Sequence, residues 1–138
     1  MKEKILVSAC LLGTNCKYNG GNNYDPSIDE YLKDYEIIPI CPEVLGGLST
    51  PRHPSEIKDN KVINNKGEDV TSFFIKGAEL TLEIAKKHNV KKALLKAKSP
   101  SCGNGKIYDG TFTDTLTEGD GITTKLLKEN GIEIITLK

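Results

Sequence analysis

Residues 4–10, Lys4-Ile5-Leu6-Val7-Ser8-Ala9-Cys10, decide the fold. Ile5, Leu6 and Val7 form an uninterrupted apolar run without the polar alternation of a half-solvated strand, which is the pattern of a strand covered on both faces of a parallel sheet. A cysteine stands at its end. Two further segments repeat the arrangement: residues 36–40 (EIIPI) run into Cys41, and residues 90–97 (VKKALLKA) lead into Ser99-Pro100-Ser101-Cys102-Gly103-Asn104-Gly105, too rich in breakers to continue a strand. Pro39 cannot donate to a ladder and implies an edge position or a local irregularity for the second strand.

The connections between these strands read as helices and small hairpins. Leu11 to Tyr24, with Asn19-Gly20-Gly21, is a loop. Asp25-Pro26 starts a short helix with Ile28, Tyr31, Leu32 and Tyr35 at helical spacing. Pro42 to Pro54 is a Gly/Pro-rich loop, and Ile57 to Ile63 suggest a hairpin around Asp59-Asn60. Asp69 can cap a long helix whose stripe is Phe73, Gly77, Leu80 and Ile84, widened by Phe74, Ala78 and Ala85. Ile107-Tyr108 and Thr111-Phe112 flank Asp109-Gly110, a favourable two-residue turn, so a β-ribbon is expected to stand over the preceding loop as a lid. A helix over residues 120–130 ends at Asn130-Gly131, and residues 132–137 supply a fourth strand. The alternating order predicts one α/β domain over residues 1–138, three-layered and Rossmann-like. Its mostly parallel four-stranded sheet carries helices on both faces and small β-hairpin insertions.

Charge narrows the partners. Lys+Arg and Asp+Glu both number 19, so the formal net charge is zero and there is no footprint for nucleic acid or a membrane surface. A small molecule is the expected partner, and nothing in the chain specifies an oligomeric state. All the basic residues but one are lysine; the exception, Arg52, sits between Pro51 and His53-Pro54. The first twelve residues lack the long apolar region of a signal peptide or membrane span, which makes the cytoplasm the expected compartment. Thiols stay reduced there, so the chain's four cysteines point to metal or catalysis before disulfides.

Ligands of open α/β sheets bind outside the carboxyl ends of the strands. Cys10, Cys41 and Cys102 all fall there, and neighbouring strands are only about 4.8 Å apart, so three strand ends can converge on one site. This favours a three-thiolate metal site over three separately buried cysteines. The metal stays open at this point: an iron–sulfur cluster normally takes four thiolates, and catalytic zinc takes three protein ligands plus water. Cys16 lies in the Asn-rich loop, and its spacing from Cys10 lacks the C-x-x-C form of a redox pair. His88, near the end of the long helix, suits the helix dipole better than chemistry.

Four separated motifs in order resemble one family: Ser8-Ala9-Cys10-Leu11-Leu12-Gly13, Cys16-Lys17-Tyr18-Asn19-Gly20, Cys41-Pro42-Glu43 and Ser99-Pro100-Ser101-Cys102-Gly103. Together they look like the DUF523 family, whose characterised members are thiouracil desulfurases. The resemblance implies a [4Fe-4S] cluster on Cys10, Cys41 and Cys102, with one open iron that takes the sulfur of a thiolated pyrimidine while water replaces it at carbon, without net redox change. Glu43, two residues after Cys41, is then the expected base, and Ser101, beside Cys102, the group expected to orient the water, with Ser99 its competitor. Lys17, Tyr18, Arg52 and His53 are candidate substrate contacts. Two alternatives share the cysteines: a module that binds metal or sulfide without turnover, and a zinc-dependent hydrolase.

Overall fold

The computed structural model describes residues 2–136. The first strand, β1 (Glu3–Ser8), ends in a 3₁₀ turn (Ala9–Leu12), and helix α1 (Ser27–Leu32) leads to β2 (Tyr35–Ile40) and the short helix α2 (Pro42–Leu45). The hairpin β3 (Ser55–Lys58) and β4 (Lys61–Asn64) precedes the long helix α3 (Thr71–Lys87) and β5 (Lys92–Leu94). The ribbon strands β6 (Lys106–Tyr108) and β7 (Leu116–Glu118), helix α4 (Ile122–Glu129) and β8 (Glu133–Ile135) complete the chain. Strands β2-β1-β5-β8 form a four-stranded sheet whose neighbours are all parallel.

Residues 5–7 sit in the middle of this sheet with no exposed surface, as their apolar run requires. Strand alternation sends Ile5 and Val7 to one face, where Ile28 and Leu32 of α1 and Leu94 cover them. Leu6 faces the other way, into a cluster with Ile40, Ala85, Ala93, Leu127 and Ile132 beneath α3 and α4. Helices therefore cover both faces. Pro39 lies on the edge strand β2, where its missing donor breaks no ladder. No helix among the described residues is long and apolar enough to cross a membrane.

Several local expectations change. The third strand is Lys92–Leu94 and not residues 90–97. The fourth is Glu133–Ile135, and the predicted Leu137 lies outside the described residues. On α3 the expected Phe74, Gly77, Ala78 and Ala85 are buried together with Thr81, while Phe73 of the expected stripe is exposed. Val70 is the N-cap; Asp69 instead accepts the Thr71 N–H from one position earlier. The Pro42–Pro54 loop opens with α2, since Pro42 suits a first helical turn.

The hairpin turn at Asp59-Asn60 is present, both residues having positive φ. The turn at Asp109-Gly110 is not: β6 pairs with β7, and Thr111-Phe112 belongs to the loop between them. There the Thr111 N–H, which would close a two-residue turn onto Tyr108, is taken with its hydroxyl by the Asp109 carboxylate, and the Gly110 N–H is drawn to Glu56.

Candidate metal centre and active site

A cavity of about 520 Å³ opens at the carboxyl ends of β1 and β2 and is lined by all four cysteines. Each arrives by a different device. Cys10 sits in the 3₁₀ turn after β1, Cys41 caps α2 after β2, and Cys102 lies in the Ser99–Gly105 loop after β5. Cys16 comes from the Asn-rich loop, and its carbonyl accepts the Cys41 thiol at 3.9 Å. Cys10 and Cys41 are half-buried, Cys16 and Cys102 are buried, and all four are free thiols.

Polar neighbours are aimed at these sulfurs. The Asn23 side-chain amide donates to Cys10 Sγ at 3.5 Å, while its backbone N–H holds the Cys10 carbonyl at 2.8 Å. Ser8 Oγ donates toward Cys102 Sγ at 3.8 Å and accepts the Lys96 N–H at 2.9 Å. Ser99 Oγ accepts the Cys102 N–H at 2.7 Å. Burial, reinforced by the negative charge of Glu43, pushes the Cys102 thiol far up. The Cys10 thiol is also raised by burial, and burial and Cys41 take Cys16 to about 12. Lys96 lines the same cavity with its ammonium pushed down by burial, and donates to the Ala97 carbonyl. Cys10, Cys16 and Cys102 therefore hold their protons more firmly than free thiols do, until a metal centre displaces them on binding.

Among the described residues no group of three His, Cys, Asp or Glu is arranged to hold a single metal ion. The cavity gathers four cysteine sulfurs, and sulfur is the donor that iron–sulfur clusters take.

Glu43 occupies the first turn of α2, beside Cys41. Its Oε2 accepts from the Arg52 guanidinium at 2.8 Å, with the side chains only 18% and 8% exposed. Arg52 also donates to the Ser49 carbonyl and to Thr50 Oγ1, each at 3.2 Å, so its guanidinium is spent on positioning Glu43 and its own loop. The α2 helix is in turn pressed onto α3: a Cβ on Gly77 would fall 1.9 Å from the Pro42 carbonyl oxygen, and one on Gly46 would fall 1.9 Å from that of Phe73. Only glycine at both positions allows this approach.

The structure gathers Cys10, Cys41, Cys102, Glu43, Lys17, Tyr18, Arg52, His53 and Ser99 around the cavity. Ser101 is not among its lining residues. Its hydroxyl is fully buried, 2.9 Å from Thr123 Oγ1, and accepts from the Cys102 thiol, because the loop turns it toward α4. His88 is the C-cap residue of α3. Asn23, Lys96 and Asp114 carry no role in the sequence reading, where Ser8 enters only within the first motif and Phe112 only on the expected ribbon. The position of Ser8 and Lys96 near strand ends was the available signal; the others depend on loop paths.

Three likenesses bear on this site. The family model for 2-thiouracil desulfurase matches residues 5–138. An uncharacterized protein of Bacillus subtilis strain 168, YbbK, is 42% identical over 142 residues, covering 96% of this chain and 94% of its own. The solved structure of a [4Fe-4S]-dependent thiouracil desulfidase, TudS, aligns with a TM-score of 0.91 at 43% identity, covering 98% of this chain and 91% of that one.

Proposed function

The chain belongs to the 2-thiouracil desulfurase family, and on that footing we propose that it is an iron–sulfur-dependent desulfurase acting on a thiouracil-like pyrimidine. One observation carries the assignment: Cys10, Cys41 and Cys102 converge on a single cavity with Glu43 beside them. The reaction exchanges a C=S bond for C=O, consuming one water and releasing one hydrogen sulfide with no net electron transfer.

Cys10, Cys41 and Cys102 would hold a [4Fe-4S] cluster with one iron left without a protein ligand. When bound, the cluster supplies a soft Lewis-acidic iron for the substrate sulfur. The chain supplies the rest. Arg52 grips Glu43 through Oε2, which leaves Oε1 to take a proton from the attacking water. Ser99 lines the cavity and accepts the Cys102 N–H, so its own hydrogen is available to orient that water, the role the sequence suggested for Ser101. Ser8 and Ser101 instead fix the Cys102 sulfur. Asn23 does the same for Cys10.

Anaerobic reconstitution tests the reading. Iron and labile sulfide near four each per chain, lost in Cys10→Ser, Cys41→Ser and Cys102→Ser and kept in Cys16→Ser, are expected together with sulfide release from 2-thiouracil. Stoichiometric zinc with no labile sulfide would overturn the cofactor, and a loaded protein that releases no sulfide would overturn the activity.

A further inference from the structure

The loop between β6 and β7 contributes to the cavity wall and is held in an unusual shape. Phe112 and Asp114 both line the cavity, and both have φ of 58°. A positive φ is uncommon for a non-glycine residue, and for a bulky side chain such as Phe it marks a backbone held against its own preference. Two devices hold it. The carboxylate of Glu56, 9% exposed on β3, accepts the N–H of Gly110 at 3.0 Å and of Phe112 at 3.1 Å through the same oxygen. Gly110, with φ of 94°, lies so close to β3 that a Cβ there would stand 2.6 Å from the Cβ of Lys58. Within the loop, Asp109 N–H donates to the Thr115 carbonyl, and hydroxyl contacts join Thr111, Thr113 and Thr115.

A loop with this much local ordering at the mouth of a cavity presents fixed groups. Phe112 is 37% exposed, an apolar ring left uncovered where a flat heteroaromatic substrate would enter. Asp114 adds a carboxylate that accepts hydrogen bonds. A thiouracil-like ring has two complementary features: a π-face, and ring N–H donors flanking the thiocarbonyl carbon. Resting on the desulfurase reading, we infer that the β6–β7 loop is the ring-recognition element. Phe112 stacks on the pyrimidine, Asp114 accepts a ring N–H, and Glu56 acts as a positioning residue that latches both in place.

Binding separates this inference from the activity that motivates it. Calorimetric titration of cluster-loaded protein with uracil, 1,3-dimethyluracil and 2-thiouracil reads ring recognition whether or not sulfide is released. Phe112→Ala is expected to weaken uracil and dimethyluracil alike by about tenfold. Asp114→Gly, which removes the acceptor and tolerates the positive φ, should leave dimethyluracil unchanged and erase the wild-type preference for uracil. Glu56→Ala should weaken uracil as Phe112→Ala does, and Glu56→Gln, which keeps an acceptor oxygen, should restore it. Visible absorption of the cluster unchanged in every variant shows that the fold is kept. Wild-type affinities in both Phe112→Ala and Glu56→Ala, or no uracil binding by wild type, would overturn the inference. Ring binding that responds as expected without sulfide release would sustain it and sink the desulfurase reading.

Discussion

The Arg52 guanidinium lies 2.8 Å from Glu43 Oε2, and both side chains are largely withdrawn from solvent. A pair in this setting gives orientation, because breaking it strands a buried charge at a cost of about 3–5 kcal/mol. Glu43→Gln is expected to lower turnover by about 10²–10⁴-fold, the usual worth of a general base, with the cluster retained. Arg52→Gln should lower turnover less and melting temperature more. The double substitution should be no slower than Glu43→Gln alone, since Arg52 acts through Glu43. Steady-state kinetics and thermal melts of the four proteins check this; a slower double mutant would show that Arg52 has a separate role in the reaction.

Gly77 is the point on which α2 rests. Its Cα approaches the Pro42 carbonyl so closely that Gly77→Ala must push α2 outward, carrying Cys41 and Glu43 with it. Overpacking of this kind costs about 1–3 kcal/mol. The expected result is a lower melting temperature together with weaker iron retention. Alanine at the exposed neighbour Lys76 should change neither.

Ser99 and Ser101 separate two effects that the motif alone leaves entangled. Ser101→Ala orphans the buried Thr123 hydroxyl, with an expected stability loss of about 1–3 kcal/mol. Ser99→Ala takes the acceptor from the Cys102 N–H and should cost stability on the same scale, and it should also lower turnover by removing a hydroxyl that lines the cavity. Paired melts and initial rates of cluster-loaded protein distinguish them, and equal losses of turnover would remove the difference drawn between the two hydroxyls.

How far the chain could be read depends on whether the information was local. The Ile5-Leu6-Val7 run and the strand ends at Cys10 and Cys41 follow from burial on two faces, which a short segment records in its own composition. Pro39 carries its edge position for the same reason. The β6–β7 pairing was misread because Asp109-Gly110 is a good turn dipeptide in isolation, while the decisive partner, Glu56, is 54 residues away in sequence. The adjacency of Ser101 to Cys102 is visible in a string, whereas only the path of the loop shows that Ser99 lines the cavity and that Ser101 turns toward Thr123. On α3, Phe74, Gly77, Ala78 and Ala85 are legible in the sequence and are buried, while Thr81 is hidden there because its buried hydroxyl is satisfied by the Gly77 carbonyl, a partner the apolar pattern does not record.

Asp69 gives a test by pH. Its carboxylate accepts the hydroxyl and the N–H of Thr71, which hold its pKa below the ordinary value of 3.8. Thr71 Oγ1 in turn accepts the N–H of Val62, a fully buried residue of β4, so one exposed carboxylate ties the start of α3 to the hairpin. A folded-state value below the unfolded one means that the unfolded chain binds the proton first as pH falls. The stabilisation is therefore complete above the ordinary carboxyl range and is lost as pH drops from 3.8 through the lower folded value. Asp69→Asn should melt below wild type at neutral pH, and the gap should close on acidification through that window. Melting curves of the two proteins across it provide the measurement; no gap at neutral pH would show that the amide serves Thr71 as well as the carboxylate does, and a gap that stays constant would show that it does not come from ionisation of Asp69.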